Sequence, residues 1–240
     1  MTRILLTLAL AAYNNVANLW PPFNRAAYVP TNLLLVAALA FVAFGPLELS
    51  YDEVVGDLAF TSALVGAALG ALFAAPLFVA SRWPRWRARI ADERIGGLSG
   101  DALLYQCLVR VPIGTALTEE FAFRGVLFVA WAQSDSTVVA ALISSVVFGL
   151  WHIGPARNAV LANHPTASAA AMARSIVLTV VGTTGAGLAF VWLRVVIGGI
   201  LAPLVLHATL NSFATLAATR AHAAISANGS SPHWSRGRGP

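Results

Sequence analysis

An all-α, polytopic membrane protein is what this chain predicts, and three observations carry the prediction. Hydrophobic residues make up 58% of the 240 and charged residues only 10%, where a soluble domain carries roughly 25% charged residues. Apolar runs close to the roughly 20 residues that cross a bilayer recur along the chain between polar or proline-rich breaks. Charge inside these runs is concentrated in one stretch, Thr118-Glu119-Glu120-Phe121-Ala122-Phe123-Arg124. An Asp, Lys or Arg at the centre of a spanning helix costs about 2.5 to 3.5 kcal/mol, so these ionisable groups need partners inside the protein. The expected architecture is about seven transmembrane helices around an intramembrane polar cavity.

The first span is expected over residues 3–20, stopped by Trp20-Pro21-Pro22, with Asn14, Asn15 and Asn18 making it the weakest. Arg3 and Ala9-Leu10-Ala11 also fit a signal peptide, but the apolar core before that cleavage site is shorter than the roughly 7 to 15 residues expected. A second span at 31–49 and a third at 58–80 flank the acidic stretch Glu48 to Asp57. Next comes RWPRWRARIADER, Arg82 to Arg94, the densest basic segment, which the positive-inside rule places in the cytoplasm with Trp83 and Trp86 at headgroup level.

Asp101, Gln106 and Arg110 among leucines suit a helix lying in the interface over 98–110. Pro112 then stands near the start of a fourth span, 111–132, where its missing N–H costs nothing. A fifth span at 137–157 follows Gln133-Ser134-Asp135-Ser136, and a loop with Arg157, His164 and Arg174 leads to a sixth at 174–193 and a seventh at 198–219. Residues 1–225 read as one membrane domain, and the Gly/Ser/Arg tail 226–240 as disordered.

The net charge of +5 and pI near 10.3 come from fifteen arginines, with no lysine. They lie mainly between apolar segments and in the tail, which orients a membrane protein, so the partner is the lipid bilayer and not nucleic acid. Cys107 is the sole cysteine, which removes internal disulfides and cysteine-based metal sites. Alternating sides from the basic segment puts the N-terminus outside and the C-terminus inside. Arg25, Arg157, Arg174, Arg220, Arg236 and Arg238 then fall inside, while Arg3 and Arg194 dissent.

Three apolar helices each carry a pair at a spacing of four: Glu120 with Arg124, Phe148 with His152, and His207 with Asn211. That spacing puts each pair on one helix face. At about 1.5 Å per residue, Glu119, Glu120, His152, His207 and Asn211 all fall about 8 to 18 Å from the cytoplasmic end of their spans, in one layer.

Each pair has a bland explanation: Glu120 and Arg124 neutralise each other, a histidine bonds a carbonyl, Asn211 glues two helices. Together they are the groups that water activation needs. Two histidines and a carboxylate, here His152, His207 and Glu119, form a hydrolytic zinc set with an open position for water and a second carboxylate as base. Without metal, Glu119 takes a proton from water directly, and His152 with His207 and Asn211 stabilises the oxyanion. Both schemes stand. There is no HExxH, which excludes the common soluble metalloprotease helix.

Glu119-Glu120-x-x-x-Arg124, Phe148-x-x-x-His152 and His207-x-x-x-Asn211, in that order on three apolar helices, resemble the three motifs of the CPBP family. This family holds the CAAX prenyl proteases type 2 and bacteriocin-processing enzymes and is also called Abi. Gly125 after Arg124 and Ala202-Pro203 before His207 add to the likeness, which covers about residues 111–215. The resemblance implies an intramembrane endopeptidase with a cavity open to the cytoplasm. Glu119 would activate water, Glu120 and Arg124 would support it, and His152, His207 and Asn211 would complete the site. Members are usually labelled metalloproteases, although their use of metal is disputed. The substrate is a membrane-associated peptide or protein. An all-Arg, Ala-rich chain points to a bacterial cytoplasmic membrane, where prenylated CAAX tails are not expected. Two rival readings are a non-catalytic scaffold or bacteriocin-immunity protein holding a partner's tail, and a proton-coupled transporter. The sequence is silent on oligomeric state.

Overall fold

The computed structural model describes residues 1–19 and 27–228. Its main helices are α1 (Thr2–Ala17), α2 (Tyr28–Phe44), α3 (Phe60–Ala80), α4 (100–132), α5 (Thr137–Leu150), α6 (Ile153–Asn163), α7 (Ala169–Ile197) and α8 (Leu201–Ala227). Two short helices, Tyr51–Val54 and Pro84–Ile90, lie in the connections. The protein is an all-helical integral membrane protein, with one isolated bridge between Gly56 and Gly199 and no strand among the described residues.

The fold is wrapped around α4. Residues 118–130 are buried without interruption, so protein and not lipid surrounds this part of the helix, its three charged residues included. Leu6 and Leu10 of α1, Leu39 and Ala43 of α2, and Ala140, Val147 and Phe148 of α5 pack with Phe121, Phe123, Val126 and Leu127 of α4. Ser144 Oγ donates to the Phe123 carbonyl at 2.7 Å and locks α5 to α4.

Among the described residues, helices α3 and α8 share the most extensive helix–helix contact. Ser62, Gly66, Gly70 and Ala74 recur every four residues as the buried stripe of α3. A Cβ on Gly66 would strike the Ala202 carbonyl, and one on Gly70 would come within 2.7 Å of Thr209. Small residues at this period let helix backbones approach where lipid supplies no hydrophobic drive. The approach fixes α8, and with it His207, against the rest.

Four helical stretches are long and apolar enough to cross a bilayer: Phe60–Ala80, Thr137–Asn163, Ala169–Ile197 and Leu201–Ala227. They correspond to the expected third, fifth, sixth and seventh spans. The other expected spans are not among them, for physical reasons. With 16 and 17 residues, α1 and α2 reach about 24 to 26 Å, short of the roughly 30 Å hydrocarbon core. The motif helix carries its charges inside the protein.

Several expected boundaries are corrected. The helix over 98–110 and the span from 111 are one continuous helix, 100–132. Pro112 stands inside it, within the π-helical stretch Gln106–Leu117, where wider turns accommodate the missing N–H. The fifth span breaks at Trp151-His152 into α5 and α6. Helix α8 continues to Ala227, past the start expected for a disordered tail. The stop at Trp20-Pro21-Pro22, the remaining tail 229–240 and Arg25, Arg236 and Arg238 lie outside the described residues.

Candidate active site

In α4 a three-residue α-helical turn, Thr118–Glu120, sits between two π-helical stretches, Gln106–Leu117 and Phe121–Leu127. Such widened turns recur at functional sites because they re-aim side chains within an otherwise regular helix. Neighbouring residues point about 100° apart on a helix, so the two carboxylates serve different partners. Glu119 faces the α5–α6 break, and Glu120 faces α8.

Glu120 and Arg124 are fully buried and joined by Nη1 donating to Oε1 at 3.2 Å. The Arg124 guanidinium lies over the rings of Phe148, at 4.1 Å, and Phe190, at 4.9 Å. The same Glu120 oxygen stands 2.8 Å from His207 Nδ1. A carboxylate only accepts, so this contact places the His207 proton on Nδ1.

Glu119 is 5% exposed, and its Oε1 accepts from the Trp151 indole N–H at 3.0 Å. Its Oε2 has no hydrogen-bond partner among the described residues. That oxygen lies 3.9 Å from His152 Nε2 and 3.8 Å from His207 Nε2. His152 Nδ1 is 2.7 Å from the Phe148 carbonyl, which can only accept, so its ring also carries the proton on Nδ1. Three acceptor atoms therefore converge: one carboxylate oxygen and two imidazole Nε2 lone pairs. Such an arrangement is stable only around something that donates to it or carries positive charge.

The structure thus brings Glu119, Glu120, Arg124, His152 and His207 together. Asn211 lies one turn beyond His207 on α8, half-buried, and its carbonyl accepts from the Thr215 hydroxyl at 2.9 Å. Phe148 and His152 lie side by side as their fourfold spacing requires, with ring centroids 4.7 Å apart, although α5 ends at Leu150 and His152 occupies the break before α6. Two partners escaped the sequence reading. Trp151 was masked as one more aromatic in an apolar run, although its place beside His152 was a signal. Phe190 sits in α7 with no motif to mark it, yet it covers Arg124 and lies 5.3 Å from the His207 ring.

The donor types and their outer partners fit a zinc ion: each imidazole offers Nε2 while Nδ1–H is held by a carboxylate or a carbonyl. The spacing fits less well. Ligands about 2.0 to 2.1 Å from tetrahedral zinc stand about 3.3 Å apart, against 3.8 and 3.9 Å here. Among the described residues no three His, Cys, Asp or Glu side chains are gathered closely enough to hold an ion as they stand.

Residues 102–213 match the family model of the type II CAAX prenyl endopeptidases, described as Rce1-like. Over those 112 of its 240 residues the chain is similar to that family. The matched prenyl-endopeptidase segment opens near the start of α4 and closes just beyond Asn211, so it holds the three motif pairs while α1, α2 and α3 lie outside it. No curated protein and no solved structure matches the chain.

Proposed function

We propose that this protein is an intramembrane endopeptidase that hydrolyses a peptide bond of a membrane-associated peptide or protein. The observation that carries the reading is the unpartnered Glu119 Oε2, buried and facing two imidazole Nε2 atoms at 3.8 and 3.9 Å. A water held there donates one hydrogen to Glu119 and the other to an imidazole, which aims an oxygen lone pair at the scissile carbonyl carbon. Glu119 takes the proton as the C–O bond forms. It returns that proton to the leaving nitrogen as the C–N bond breaks. The Asn211 side-chain amide donates to the developing oxyanion, and an imidazole joins it once its Nε2 carries a proton.

Glu120 holds His207 in orientation, and Arg124 offsets the Glu120 charge. The cluster of Glu119, Glu120 and Arg124 carries a net charge of about −1 when ionised, which one proton on an imidazole or a bound cation would balance. A zinc ion held by Glu119 Oε2 and the two Nε2 atoms would supply Lewis acidity to the same water. The spacing favours the water-only arrangement.

The basic segment supports a site reached from the cytoplasm of a bacterial membrane. Glu93 and His222 pair at 3.4 Å, and Asn163 Nδ2 donates to Asp92 at 3.2 Å. The far ends of α6 and α8 are thereby tied to the arginine-rich loop. A scaffold or transporter would have no use for an activated water, and the family match argues against both.

The test compares membranes containing wild type with membranes containing Glu119→Gln, by mass spectrometry of protein and peptide termini. New termini that appear only with wild type support proteolysis and identify the substrate. Identical termini at equal protein abundance refute it.

A further inference from the structure

The break between α5 and α6 leaves backbone groups without helical partners. The last carbonyls of α5 and the first N–H groups of α6 have nowhere to go within the helices. In the apolar part of a membrane protein each would be costly. The structure shows what takes them, and it comes from α1.

Asn15 bridges the break. Its Oδ1 accepts from Gly154 N–H at 2.7 Å, and its Nδ2 donates to the Leu150 carbonyl at 2.9 Å. Asn14 Nδ2 donates to the Trp151 carbonyl at 3.0 Å. Asn18 steadies Asn14 by donating to its Oδ1 at 3.0 Å, and Asn158 of α6 donates to Asn18 at 3.2 Å. Tyr13 stacks on Trp151 with ring centroids 5.6 Å apart. The approach is close at Gly154, where a Cβ would stand 3.1 Å from the Asn15 Cα and 3.0 Å from the Asn18 Cβ.

The gripped residues are Trp151, which donates to Glu119 Oε1 at 3.0 Å, and His152, whose Nε2 faces Glu119 Oε2. We propose that Asn14 and Asn15 of α1 are positioning residues, clamping the Trp151-His152 turn so that the indole N–H and the imidazole are aimed at Glu119. The asparagines that weaken α1 as a span are thereby accounted for. This inference rests on the proteolytic reading for its catalytic consequence and on α1 alone for its structural one.

The experiment uses the full chain with 15N-indole-labelled tryptophan in micelles. Seven indole signals are expected, one per tryptophan, and Trp151→Phe assigns the relevant one. The test variants are Asn14→Leu and Asn15→Leu, which suit an apolar helix. Asn14→Asp keeps the shape but cannot donate to the Trp151 carbonyl, and is measured in case leucine impairs folding. Leu8→Ala, on the exposed side of α1, is the control. Hydrolysis is followed in parallel with a farnesylated peptide ending in a CAAX sequence.

The clamp predicts that the Trp151 signal shifts in each asparagine variant and stays in place in Leu8→Ala, and that kcat falls at least about tenfold while KM changes less than about twofold. An unmoved Trp151 signal overturns it, as does a moved signal with wild-type kcat. If the wild type leaves the peptide intact, the signal alone decides: a shift supports the clamp, and no shift refutes it.

Discussion

His207 Nδ1 lies 2.8 Å from Oε1 of Glu120, the same oxygen that accepts from Arg124. One buried carboxylate therefore sets the tautomer of a histidine on α8 and neutralises a guanidinium on its own helix. It does so without facing the unpartnered oxygen of Glu119. The two adjacent glutamates have separate tasks, and substitutions should separate them.

Arg124→Leu leaves Glu120 as a buried carboxylate without its counter-charge and removes a guanidinium from between Phe148 and Phe190. Breaking a buried pair from one side costs about 3 to 5 kcal/mol. Thermal unfolding in detergent should show a loss of that order, with cleavage lost as a consequence. The double variant Glu120→Gln/Arg124→Leu should recover part of the stability, because no isolated charge remains.

Trp151→Phe removes the hydrogen bond to Glu119 and retains aromatic contact with Tyr13 and Phe123. A hydrogen bond to a charged group is worth about 1.5 to 3 kcal/mol. Turnover should fall about 10- to 100-fold, and the melting temperature should fall too, because Glu119 Oε1 is left buried without its donor. Steady-state kinetics beside a thermal scan would check this.

Gly70→Leu should separate α3 from α8, since its side chain would have to enter where the Cβ alone already meets Thr209 and the Leu206 carbonyl. Overpacking of this kind costs about 1 to 3 kcal/mol. The expected result is a lower melting temperature with insertion intact, measured on detergent-purified protein.

Metal removal should discriminate the two water-activating arrangements. Protein dialysed against chelator and analysed for metal content should keep its cleavage rate, because the Glu119 and histidine atoms stand wider apart than a tetrahedral zinc set. Loss on chelation with recovery on adding zinc would instead show that the side chains close on an ion.

The sequence made the site legible because charge is so costly in an apolar chain that Glu119, Glu120 and Arg124 stand out, and the fourfold spacings point to their partners. The helix count was less legible. Hydropathy cannot distinguish a helix apolar because lipid surrounds it from one apolar because protein does, and α4 is the second kind. The break at Trp151-His152 is marked locally only by Gly154-Pro155 just beyond it, inside the stretch read as one span. Its backbone groups are satisfied by Asn14 and Asn15, more than 130 residues away, so the residues that make the break affordable are not its neighbours in sequence. Pro112 misled in the other direction, since a widened turn tolerates a proline that an α-helix would not.

The central claim is that Glu119 activates water, and a single-turnover measurement tests it most directly. The substrate revealed by the comparison of termini would be cut by wild type and Glu119→Gln in proteoliposomes, with both melting temperatures recorded. The account predicts a rate at least about 1,000-fold lower for Glu119→Gln, with melting temperatures within about 2 °C. Cleavage by Glu119→Gln at the wild-type rate would contradict it and remove Glu119 from the chemistry.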